Sequence, residues 1–128
     1  MTKTYSLKNV GSFVDLEKVF IKDELQLTSM EVSVNHLPAG TGTPFLHSHK
    51  MNEELYIITA GNGIFHVDGE EFPISEGSLI RVAPNGDRGL KADDTDLCYI
   101  CIQAAENSLK QYTMTDGVIN DTKASWIK

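Results

Sequence analysis

The sequence predicts an all-β domain, a sandwich or barrel of short strands, and three observations carry that prediction. At least seven short runs are rich in Val, Ile, Tyr, Phe and Leu or alternate apolar and polar residues with a period of two. Gly, Pro, Asn and Asp turn signals punctuate them, and little of the chain shows the 3.6-residue period of an amphipathic helix. With 128 residues, 41% of them hydrophobic, one core and one domain are expected.

Taken in order, Leu27 to Leu37 alternates as a half-buried strand. Met30, Val32, Val34 and His36 share one face; Glu31, Ser33 and Asn35 share the other. Pro38-Ala39-Gly40 ends it, and Phe45 to His49 begins the next strand. Lys50 to Glu53 is a short polar connection to Leu55–Thr59, a β-branched and aromatic run. Gly61-Asn62-Gly63 turns the chain into Ile64–Val67, and Asp68-Gly69 is the strongest short hairpin signal present. Glu71–Ile74, Ser78–Ala83, Arg88–Ala92 and Leu97–Gln103 complete the strands. Residues from about 28 to 105 make the barrel core, 1–27 an arm with a strand or a helical turn, and 106–128 a tail without clear period.

A formal charge of −7 argues against a nucleic-acid or anionic-membrane surface. No apolar run approaches the roughly 20 residues of a membrane-spanning helix. MTKTYSLKNV lacks the apolar stretch of a signal peptide, so a cytoplasmic protein is expected. Cys98 and Cys101 form a CxxC inside an apolar strand. Three residues along a strand place them on opposite faces and about 10 Å apart, too far for a disulfide. With no second CxxC to complete a zinc site, they read as buried structural thiols.

The chemistry concentrates between Gly42 and Gly63. His47 and His49 stand two apart, so on a strand both imidazoles point one way. Glu54 follows on the next strand and can meet them. Two imidazoles and a carboxylate suit a divalent transition metal (iron, manganese, zinc, nickel or cobalt) and leave positions open for water or substrate. Two histidines so spaced also occur by chance, and the surrounding pattern is what raises the odds.

That pattern resembles the first conserved motif of the cupin superfamily: Gly, a spacer, His-x-His, a short gap, Glu, a longer gap, Gly. His47, His49, Glu54 and Gly61 fit its last four landmarks, and Gly42 precedes His47 with a spacer one residue shorter than usual. The second cupin motif is degraded. Gly77 and the Pro84-Asn85-Gly86 turn are present, but the histidine slot holds Gly89, and Asp93 stands at the asparagine. The resemblance implies a double-stranded β-helix, or jelly roll, with a three-ligand metal site at His47, His49 and Glu54. It also implies a small molecule in the barrel and a homodimer in which arm and tail pack across the partner.

Three further residues are candidates for substrate binding. Arg88 shares its parity with the apolar Leu90 and Ala92, so it points into the barrel if that face looks inward. There it would hold an anionic substrate, or else pair with Glu54, Asp87 or Asp93. The stretch from Gly77 to Pro84 is one residue longer than the family pattern, which allows a shift of register that swaps faces. His36, on the apolar face of its strand, would be a replacement ligand, a general base, a partner to the ligands, or a core histidine satisfying the backbone. Tyr56, with the parity of Glu54, would offer a hydroxyl or simply pack. His66 lacks a ligand's pattern, while Lys50, Asn52 and Glu53 are turn residues or a rim.

Three functions remain open at this point. One is a metal-dependent enzyme of isomerase, decarboxylase or dioxygenase type acting on a small metabolite, anionic if Arg88 holds it. The others are a non-catalytic module binding a metal or small ligand, and a barrel that has lost its metal. Substrate and reaction lie beyond the sequence, since this barrel hosts many chemistries.

Overall fold

The computed structural model describes residues 4–111 and 113–128. Eight strands make two antiparallel sheets, built from runs whose side chains alternate between the two faces. They are β1 (Lys18–Phe20), β2 (Glu31–Leu37), β3 (Asn52–Ala60), β4 (Asn62–Val67), β5 (Glu70–Ser75), β6 (Leu79–Val82), β7 (Arg88–Ala92) and β8 (Leu97–Ala105). The larger sheet has the order β1-β2-β8-β3-β6 and the smaller β5-β4-β7. Among the described residues, helix is confined to a 3-10 turn at Phe13–Asp15 and single turns α1 (Lys22–Leu25) and α2 (Thr113–Asp116). This is the all-β jelly roll the sequence implied.

One-sided burial follows from the period of two. On β3, Glu54, Tyr56 and Ile58 are buried while their neighbours are half-buried. Across the strand pairs, Tyr56 lies opposite Cys101 and Ile58 opposite Tyr99. Phe65 of β4, fully buried, closes the core from the other sheet, edge-on to Tyr56 at 5.0 Å and stacked on Phe72 at 5.6 Å. Edge-to-face and offset rings of this kind add stability beyond the area they bury.

The hairpin expected at Asp68-Gly69 forms with both residues at positive φ (49° and 84°), as a tight turn matched to strand twist requires. One expected strand does not form. Phe45 to His49 is bridged to β7 only at His47, across from Arg88, and Gly42 before it is bridged to Lys91. Between these bridges five steps of chain face three, so the extra residues bulge around Pro44, which has no N–H to give a ladder. Conversely, β3 begins at Asn52, inside the expected connection.

A second correction concerns β2. Its polar side, Ser33 and Asn35, lines the barrel cavity, and His36 takes the other side. Both faces of this strand are covered, since Val34 is buried as well, so an apolar face did not identify the inner one. In the tail, Leu109, Met114, Val118, Ile119 and Trp126 are all exposed. No helix among the described residues is long and apolar enough to cross a membrane.

Gly61 carries the chain from one sheet to the other at φ +87°, and a Cβ there would lie 1.9 Å from the Asp96 carbonyl oxygen. Backbone cannot yield as a side-chain tip can. Gly61→Ala is expected to cost about 2 kcal/mol or more through strain at positive φ and displaced backbone. Urea unfolding should report it as a lower midpoint at unchanged slope, whereas Gly69→Ala, with open space around its Cβ, should lose less.

Candidate metal centre

β3 and the bridged segment before it bring His47, His49 and Glu54 together, with one ligand atom from each lying within 4.8 Å of the others. The imidazoles meet at right angles, ring centres 5.2 Å apart. Nε2 of His47 stands 3.8 Å from Oε1 of Glu54, and Nε2 of His49 stands 3.5 Å from Oε2. The histidines are half-buried and Glu54 is buried, so the group sits at the inner end of an opening to solvent.

Arg88 points into the barrel and is fully buried. Its Nη2 donates to Glu54 Oε1 at 2.6 Å and its Nε to the same oxygen at 3.2 Å, while Nη1 donates to the Gly86 carbonyl at 2.8 Å. The Tyr56 hydroxyl donates to that same Oε1 at 2.8 Å. These partners absorb the guanidinium, and Arg88 is not among the residues lining the cavity. Of the alternatives the sequence left open, its pairing with Glu54 is the one found.

The register explains the missing fourth ligand. Arg88 lies directly across from His47, and Leu90 and Ala92 follow it on the inner face. A Cβ on Gly89 would instead run into Leu46 and Thr43, on the other side of β7. The inward slot beside the ligands therefore belongs to Arg88, which has no lone pair to offer a metal.

Electrostatics favour the protonation states a metal needs. Burial pulls the Glu54 pKa up, but Cys101, Arg88 and Tyr56 around it pull it down by more, so it stays a carboxylate. Burial, followed by the charge of Arg88, lowers His47, which keeps its imidazole neutral and able to coordinate. Burial holds the Tyr56, Tyr99 and Cys101 protons on well above their usual range. Two imidazoles and a carboxylate at these separations fit a divalent first-row transition metal. Oε2 is the oxygen that Arg88 and Tyr56 leave available.

His36 lies apart from this group. Its Nδ1 faces the Leu16 carbonyl at 3.1 Å and its Nε2 the Asp96 carboxylate at 2.8 Å, and Asp96 also accepts the Ala39 N–H. It clasps the arm and the β2 end to the turn before β8. His66 pairs with Glu71 on the outer side of the small sheet. Sequence reasoning missed Cys101, whose inward parity could have been paired with Tyr56, and the cavity residues Lys18, Phe20 and Gln103. The cysteines are free and buried, as expected.

With both ring nitrogens facing acceptors, His36 favours the cation, and its hydrogen bond to Asp96 raises its pKa above the ordinary 6.5. A raised pKa contributes stability fully present below the unfolded value and lost as pH rises through the folded one. The stability gap between wild type and His36→Gln should be widest near pH 5.5 and shrink by about pH 8.5, read from urea midpoints. Asp96, whose pKa is lowered by the same bond, contributes stability that is fully present above its ordinary 3.8 and is lost only below it, outside this window.

Comparison with known proteins agrees with this architecture. The cupin domain model matches residues 33–102, more than half of the chain. A crystal structure of a cupin protein from Bacteroides fragilis superposes with a TM-score of 0.87 at 45% identity, over 93% of this chain and 99% of that one. A predicted oxalate decarboxylase from Thermotoga maritima gives a TM-score of 0.53 at 26% identity, over 59% and 64% of the two chains. An uncharacterized protein of Methanocaldococcus jannaschii is 38% identical over 48 residues, which span 38% of this chain and 38% of that relative. With its family signature, its jelly roll and its converging His-His-Glu group, this chain belongs to the cupin family.

Proposed function

We propose that this cupin binds one divalent transition metal through His47, His49 and Glu54 and takes a small molecule in the adjoining cavity. The observation that carries the reading is the convergence of three ligand atoms on one opening, with the carboxylate ionised and His47 neutral. A bound ion would supply Lewis acidity there, or a site for dioxygen. The chain's own residues hold the ligands: Arg88 and Tyr56 fix the carboxylate, and the strand alternation aims the imidazoles. Metal-dependent turnover of isomerase or dioxygenase type is the enzymatic form of this reading.

One observation favours the alternative of a binding module without turnover. The proton-transfer groups beside the histidines are held out of action: Tyr56, Tyr99 and Cys101 keep their protons, and Glu54 is neutralised by Arg88. The histidines alone would have to serve as both ligands and proton carriers. Oxygen uptake or product formation by metal-loaded protein separates the two forms.

The exposed apolar residues of the tail support a second copy of the chain as partner, and the free buried thiols support a reducing, cytoplasmic setting. Sedimentation reads the first directly.

Two outcomes are expected of the metal. Elemental analysis of untagged protein prepared without chelator should show about one ion per chain, lost in the His47→Ala/His49→Ala double variant; sub-stoichiometric metal in both would refute the site. Arg88→Met leaves a buried carboxylate without its counter-charge and should destabilise the metal-free protein by about 3–5 kcal/mol. Added metal supplies that counter-charge, so the metal-induced rise in Tm should be larger in Arg88→Met than in wild type.

A further inference from the structure

Within the barrel, the cavity beside the histidines has a volume of about 250 Å³. At roughly 30 Å³ for a water-sized group, it holds on the order of eight such groups. Among the described residues lining it, the only acid is Glu54, whose charge Arg88 cancels, and the only lysine or arginine is Lys18. The cavity is therefore net positive inside a chain of net charge −7, a local field that draws small anions.

Strand register places Lys18. On β1 it lies across from Asn35, and Phe20 across from Ser33; Asn35 and Ser33 in turn lie across from Tyr99 and Cys101 on β8. All six line the cavity, in two rows that end on Ile58 and Tyr56 of β3, on the same face of that strand as Glu54. The Lys18 ammonium lies 5.1 Å from the Phe20 ring centre, a contact that steadies it without consuming its charge. It forms no ion pair among the described residues, unlike Lys8, Lys22 and Lys91. Asn35, almost fully buried from bulk solvent, donates from Nδ2 to Ser33 Oγ at 2.9 Å. That leaves the second amide hydrogen of Asn35 and the Ser33 hydroxyl to face the cavity.

We infer that the cavity takes a small carboxylic acid, its carboxylate held by Lys18 with Asn35 and Ser33, and the rest of the molecule extending toward His47 and His49. One ammonium with an amide and a hydroxyl suits a monoanion, while phosphate sites typically add arginines or several backbone donors. The inference rests on this cavity being the ligand site proposed above, but not on the identity of the metal. It moves anion recognition from Arg88, whose donors are used within the protein, to a residue at the barrel mouth.

Calorimetric titration of the full chain, metal-free and manganese-loaded, with glycolate, malate and benzoate, with their amides and with inorganic phosphate is the test. At least one acid should bind ten-fold or more tightly than its amide, and more weakly as salt rises. Lys18→Gln should remove that preference, and Lys18→Arg should keep most of it. Lys18 is exposed on an edge strand, so circular dichroism and Tm should stay unchanged in both variants. The inference is overturned if no acid binds, if acids and amides bind alike, if Lys18→Gln binds the acid as wild type does, or if phosphate outcompetes every acid. Manganese uptake on the same samples is independent of these outcomes. Lys18-dependent binding without manganese uptake would exclude manganese from the His47, His49 and Glu54 site and leave this inference standing.

Discussion

The interaction on which the site depends is the buried pair of Glu54 and Arg88. Both side chains are shut off from water, and removing one partner of such a pair costs far more than the pair itself gains. Arg88 and Tyr56 together take one oxygen of the carboxylate, which fixes the other toward His49. The pair also joins the sheets, since Glu54 belongs to the larger and Arg88 to the smaller. The closure of the barrel at this end and the aim of the carboxylate are therefore one structural fact.

Most of the strand framework is legible in the residues because each strand alternates and each tight turn needs Gly, Asn or Asp. The metal ligands are legible for the same reason: His47 and His49 share a side at a spacing of two, and Glu54 keeps a fixed distance from the turn at Gly61. What was not legible depends on three-dimensional register. His36 sits on a strand covered on both faces, where apolar neighbours do not mark the inside. Gly89 occupies the expected ligand slot by counting, yet in space it is Arg88, bridged to His47 and bonded to Glu54, that occupies it. Lys18 is hidden for a different reason. A three-residue strand carries too little pattern to show which way it faces, and its position is known only from pairing with β2.

Charge is distributed in a way that composition conceals. The chain as a whole is acidic, but Glu54, the one buried acid among the described residues, is neutralised from within, and Lys18, one of several lysines without an ion pair, stands at the cavity mouth. Repulsion by the general surface and attraction by the opening act on the same anion, so the approach path matters as much as the affinity.

The bulge at Pro44 and Phe45 also divides labour along the chain. His47 is anchored to Arg88 by a pair of backbone hydrogen bonds, Gly42 is bridged to Lys91 and the Thr43 N–H donates to the Leu90 carbonyl, so Pro44 to Leu46 span the gap between backbone ties. Thr43, Pro44 and Phe45 line the cavity from that span. Insertions, deletions or exchanges there would reshape the entrance while leaving the coordinating atoms in place. A lineage carrying this barrel can thus vary what it admits without rebuilding what it holds.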